Sequence, residues 1–255
     1  MTNIRQVYLS FIFLSLYSST ALCSYTQGNP LIFVAEELPP YHFINSDGHV
    51  SGALVEVVQA ILDKAELPGK IEIQPFARVY KNTQTQQNTF MFSMLKTPNR
   101  EAKFQWVGQT YKSTAVLVGL KNRQDIKLLS LESAKPYIVG TIRGYHSDNF
   151  LHENGFSEKE NLSLSVTSKH LWAMLFNQRI DLVLTNYMAL DREIKQSGFD
   201  SNEITPYLSL PNFPSELYIA TGLTTPNEVI ERLATALAAI KKSGVYQQIL
   251  TKYDL

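Results

Sequence analysis

Short, uninterrupted apolar runs alternate along this chain with stretches of helical periodicity. Leu31–Ala35 (LIFVA) has no polar interruption, the mark of a strand buried on both faces. Leu54, Val57, Val58, Ile61, Leu62 and Ala65 recur at helical spacing and predict an amphipathic helix over 52–65, stopped by Pro68-Gly69. Ile71 and Ile73 mark a second strand and 90–94 a third, so strand, helix and strand follow in the order of a βαβ unit with a parallel sheet. Further strands are predicted at 114–120, 137–140, 182–185 and 216–220. A helix is predicted to start at Asp148, a helical patch covers 171–176, and a long helix runs over 227–253 with Gly244 as its break. The pattern divides into two βα sets, 24–113 and 121–215. Strand-like crossings at 114–120 and 216–222 join them, and 223–255 returns as a closing helix on the first set.

The N-terminus follows a different rule. Residues 1–23 carry Arg5, an apolar run of about ten residues and then small residues, the order of a cleaved secretory signal peptide. The run is too short for the ~20 residues of a spanning helix. Cleavage after Ala21, cleavage after Cys23 and lipidation of Cys23 stay open as alternatives. Loss of 1–23 removes one base and no acid from a chain with 23 of each, leaving 22 bases, 23 acids and a net charge of −1. Neither nucleic acid nor an anionic membrane is favoured by that balance. The single cysteine, Cys23, excludes a disulfide framework and any cysteine-based zinc site, and its removal suits an oxidising compartment.

Four motifs in order give the chain a likeness. They are VAEELPPYHFINSDGHVSGALVEVV at 34–58, TPNREAKFQWVG at 97–108, YIVGTIRGYHS at 137–147 and AIKKSGVYQQILTKY at 239–253. Together they resemble the periplasmic solute-binding proteins, family 3, that serve amino-acid ABC importers. PFARVY at 75–80 resembles a subgroup with an aromatic-x-Arg motif in a strand. The resemblance implies an α/β, two-lobed periplasmic-binding-protein fold (type II) whose two crossing strands act as hinge. It also implies a periplasmic monomer that binds a small polar, carboxylate-bearing solute and presents it to an ABC permease in the inner membrane. A sensory module for a membrane receptor is the rival class, and a lyase acting on small carboxylates is a third.

The resemblance also assigns candidate ligand contacts. Arg100, in Thr-Pro-x-Arg, matches the arginine that clamps the ligand carboxylate; the alternative is a surface arginine paired with Glu101. Ser93 falls where small residues face the ligand, while Leu95 stands where many members carry a hydroxyl. Asn186 aligns with the acid that accepts the ligand ammonium, and as an amide it brings a hydrogen bond without charge. Glu36 or Glu37 can supply the missing charge or be loop acids. Tyr41 and Phe43 line the cleft or pack in the core. Arg78 binds a second anionic group or pairs with Glu36 or Glu37. Tyr145, His146 and Ser147 precede a predicted helix and offer backbone N–H groups to an anion.

Catalytic readings are weaker. Ser93-x-x-Lys96 and Ser147-Asp148-Asn149 mimic penicillin-recognising serine enzymes, but Ser93 closes a strand instead of opening a helix, and no Lys-Thr-Gly follows. The five histidines lack metal-ligand spacing, and neither a nucleotide nor a nucleophile motif is present. The sequence therefore reads as a binding protein with no catalytic residue, no metal and no cofactor.

Overall fold

The computed structural model describes residues 30–255, so the expected leader at 1–23 lies outside the described residues. The first half of the chain runs β1 (Leu31–Ala35), β2 (Phe43–Ile44), β3 (Val50–Ser51), α1 (Ala53–Ala65), β4 (Gly69–Ile73), α2 (Phe76–Thr85), β5 (Thr89–Leu95), α3 (Pro98–Glu101) and β6 (Gln105–Lys112). It continues with β7 (Ala115–Leu120), β8 (Val139–Ile142), α4 (His146–Glu153), β9 (Leu162–Ser165), α5 (Ser168–Phe176), β10 (Leu182–Asn186), α6 (Leu190–Gln196) and β11 (Ile204–Ser209). The last elements are β12 (Glu216–Thr221), α7 (Asn227–Lys242) and α8 (Val245–Lys252).

Two five-stranded sheets result, ordered β4-β1-β5-β12-β6 and β11-β7-β10-β8-β9. In the first, β1 pairs parallel with β4 and β5, as a right-handed βαβ path demands, whereas β12 returns antiparallel to β5. The apolar stripe of α1 buries Leu54, Val58 and Ile61 against Phe33, Phe90 and Phe92 of this sheet, with Leu233 and Leu237 of α7 in the same core. Val79 of α2 packs the opposite face with Met91, Met94 and Ala220. The second sheet is likewise covered on both faces. Trp172 and Leu175 of α5 lie over one, and Leu151 and Phe156 over the other.

The structure changes two sequence expectations. Residues 76–80 open helix α2 and are not a strand, because Phe76, Val79, Tyr80 and Thr83 follow helical spacing behind Pro75, whose fixed φ of −58° suits a helix start. Residues 115–120 and 216–221 are each interior members of one sheet, so the strands themselves do not cross between lobes. The chain crosses at 113–114 and again at 210–215. There the Ser113 N–H donates to the Ser215 carbonyl at 2.7 Å, tying the two crossings side by side.

Candidate functional site

The loop from Glu36 to Gly52 is fastened to the start of α1. The Ala53 and Leu54 N–H groups, which no helical turn satisfies, donate to the Pro40 and Tyr41 carbonyls at 3.0 and 2.9 Å. Gly52 permits this approach: its φ is 131°, and a Cβ there would lie 2.4 Å from the Tyr41 oxygen. The loop's other end projects Glu36 between the lobes.

A cavity of about 120 Å³ lies at that point, walled by both lobes and by the crossing at Ser113 and Thr114. Seven predicted residues line it: Glu36, Ser93, Arg100, Tyr145, His146, Ser147 and Asn186. Arg100 is 8% exposed, so the surface alternative does not hold, and Glu101 pairs instead with Lys96 at 3.4 Å. The Arg100 guanidinium lies over the Tyr80 ring at 5.3 Å and donates to the Leu95 carbonyl at 3.3 Å. Among the described residues no carboxylate forms an ion pair with it. Ser93 is 7% exposed, and its hydroxyl has no hydrogen-bond partner.

Glu36 is half-buried between the lobes. Burial pushes its carboxyl up to about 8, the nearby Glu193 charge adds to this, and the Tyr145 hydroxyl and Arg100 oppose it. The Tyr145 hydroxyl donates to Glu36 Oε2 from the opposite lobe. Phe76 meets the Tyr145 ring edge-on at 4.8 Å, and both rings, with Glu36 and Glu193, border the cavity and also an adjoining wider groove that carries Glu37. His146 packs on Phe213 at 5.1 Å; burial and the Arg100 charge lower its pKa, which keeps the ring neutral.

Four predicted residues stand apart from the cavity wall. Tyr41 is fully buried and packs on Tyr111 at 5.1 Å, and its hydroxyl donates to Asn186 Oδ1 at 3.2 Å across the lobes. It is a core residue that reaches the site through Asn186. Phe43 lies outside, with Arg192 over its ring at 5.5 Å. Arg78 is exposed on α2 and makes no described bond to Glu36 or Glu37, because the helix turns it away from Phe76 and Val79. Glu37 is exposed beside the groove.

Beside the predicted turn, the backbone N–H of Gly144 donates to Asp148 Oδ2 at 2.8 Å and that of Tyr145 to the Ile142 carbonyl at 3.2 Å. The Ser147 hydroxyl meets Thr141 Oγ1 at 2.6 Å. Asn186 Oδ1 accepts from both Tyr41 and the Met188 N–H, the latter at 3.0 Å, which fills its lone pairs and leaves its amide hydrogens as donors.

Glu193 escaped the sequence reading. It lies 8% exposed on α6 and lines the cavity from the second lobe; burial raises its pKa to about 7. Its Oε2 accepts from the Trp172 indole N–H at 3.2 Å. Asp181, just ahead of β10, has a structural role: it pairs with Arg123 at 2.5 Å and accepts from the Ile138 N–H at 2.8 Å.

Two α/β lobes, joined by two adjacent crossings and enclosing a cavity with a few charged and polar groups in a largely apolar wall, define a two-lobed ligand-binding protein. The chain belongs to the bacterial extracellular solute-binding proteins, family 3, whose family model matches residues 31–254. Solved structures share the fold. A histidine kinase sensor domain similar to periplasmic binding proteins has a TM-score of 0.80 at 16% identity, covering 89% of this chain and 96% of that one. An ancestral arginine-binding protein bound to arginine has 0.77 at 20%, covering 89% and 99%. A periplasmic binding protein of Salmonella typhimurium with high arginine specificity has 0.74 at 18%, again covering 89% and 99%. No curated protein sequence matches the chain.

Proposed function

We propose that this solute-binding protein is exported to the periplasm and captures a small solute bearing a carboxylate and an ammonium, an amino acid or close relative, for an ABC importer. Arg100 carries the reading. A guanidinium buried without an ion-pair partner is costly, and a ligand carboxylate entering the cavity supplies planar, bidentate pairing. The unpartnered Ser93 hydroxyl offers a further hydrogen bond on the same wall. Ligand contacts to both lobes favour the closed arrangement, which the importer would recognise. The arginine-binding neighbours are consistent with this ligand class, and the sensor-domain neighbour is consistent with the rival in which a receptor reads the closed state.

A thermal-shift screen against amino acids, opines, polyamines and dicarboxylates tests the proposal. Binding to the native state raises the melting temperature, and a ligand at a hundred times its Kd adds about 2.7 kcal/mol. Compounds with a carboxylate should shift the transition and polyamines should not. A response to polyamines alone would overturn the carboxylate reading.

A further inference from the structure

Family resemblance puts the ligand's ammonium on the residue at 186, yet that residue is engaged elsewhere. The Asn186 carbonyl serves Tyr41 and Met188, and only N–H donors remain to meet a ligand. An ammonium, itself a donor, finds no acceptor there. The anionic acceptors in the cavity are two carboxyls, one from each lobe. Glu36 projects from the loop after β1, and Glu193 projects from α6.

Resting on the proposed function, we infer that Glu36 and Glu193 together receive the cationic pole of the solute, and that this pole displaces protons the two carboxyls hold in the empty cleft. Three observations carry the inference. Both side chains line the one cavity that also holds Arg100, so a solute with opposite charges can span from the guanidinium to the acid pair. Each acid keeps one oxygen on a neutral donor, Tyr145 for Glu36 and Trp172 for Glu193, which fixes its direction without supplying charge. Ser93, buried and unpartnered on the same wall, marks the cavity independently as built for a polar occupant.

The neighbouring charges set the direction of the proton exchange. His42 lies behind Glu36, its Nδ1 on the Glu36 carbonyl at 2.5 Å, and burial drops its pKa to about 4, so it brings no charge. His146 faces the cavity from α4, with its pKa lowered by burial and by Arg100, and Lys169 of α5 and Glu37 line the adjoining groove that Glu36 and Glu193 also border. Arg100 is the one cation among the residues lining the cavity, against two acids. In the empty cleft the acids relieve their mutual repulsion and burial by holding protons. When an ammonium arrives, each carboxyl that ionises gives its proton to solvent, while the ammonium keeps its own. Affinity for such a solute therefore rises with pH until the acids are ionised in the ligand-free protein as well, at about 7 for Glu193 and about 8 for Glu36.

The test is calorimetry with L-arginine, L-glutamine and L-glutamate, which share the two poles and differ in side-chain charge, using wild type, Glu193→Gln and Arg100→Ala. Each titration is run at pH 6, 7 and 8 in two buffers of different ionisation enthalpy. For any probe that binds, the wild type should release roughly one proton at pH 7 and bind more tightly as pH rises. Glu193→Gln should bind at least about tenfold more weakly and release fewer protons. Its melting temperature should hold, because the glutamine carbonyl still accepts from Trp172. Tight binding without proton release, or release undiminished in Glu193→Gln, overturns the inference. The carboxylate reading survives that outcome if Arg100→Ala still abolishes binding. Binding of none of the three probes removes the reading and the inference together.

Discussion

Arg100 and Glu36 share a lobe and feel each other's charge, yet they do not pair, which leaves each with capacity for a ligand. The acids store this state as a pH dependence of folding. Glu36 has its carboxyl raised from 4.5 to about 8 and Glu193 from 4.5 to about 7, so between those limits the folded protein holds protons that the unfolded chain has released. The stability this gives is full below about pH 4.5 and is lost as pH rises through the folded values. His42 and His146, whose pKa values folding lowers from the ordinary 6.5, act in the opposite sense below that value, so the clean window is about pH 7 to 8. In that window the ligand-free protein should melt at progressively lower temperature, and Glu36→Gln should flatten the trend; an equal slope in the variant would show that Glu36 is not the group responsible. Arg100 was legible in the sequence because it stands in the Thr-Pro-x-Arg stretch, and Ser93 because it follows an apolar strand run. Glu193 was not. Its segment, Leu190–Gln196, reads LDREIKQ, the polar mixture of a solvated helix, and only Trp172, far upstream, reveals that the acid points inward. Arg78 was misplaced for the converse reason: it belongs to a motif, but the helix carrying it turns it to solvent.

Elements with long apolar periodicity were legible, namely β1, α1, β5, β10 and α7, because one strongly biased pattern fits only one period. The break at Gly244 was legible too, where the backbone takes φ of 84° between α7 and α8. Helix α2 was not, since over five residues PFARV alternates like a strand and shows its helical stripe only when Tyr80 and Thr83 are included. The crossings were misassigned because apolar strands such as β7 look alike whether they bridge two lobes or sit within one sheet. Ser113-Thr114, where the chain changes sheets, carries no pattern at all. At this scale Gly52 makes the sharpest prediction. Gly52→Ala places a methyl against the Tyr41 carbonyl at a φ that L residues rarely adopt, so it should cost about 2–3 kcal/mol in denaturant unfolding. It should also weaken solute binding, because the same loop aims Glu36. A change within about 0.5 kcal/mol would mean the loop is not held as described.

Across the whole molecule, two hydrogen bonds span the lobes at the cavity, Tyr145 to Glu36 and Tyr41 to Asn186, so the site draws on both lobes held in this arrangement. The two-lobed plan was legible from the order of βα sets and the motifs that follow it. The sheet order was not, because the return of β12 between β5 and β6 depends on pairings far apart in sequence. The central claim is that this closed cavity holds a solute by its carboxylate on Arg100. Calorimetry of Arg100→Ala against wild type, with the solute found by thermal shift, tests it most directly. Loss of the guanidinium leaves the carboxylate unpaired, and roughly 2–5 kcal/mol of binding should disappear while the variant stays folded by circular dichroism. An affinity in Arg100→Ala equal to that of wild type would contradict the account.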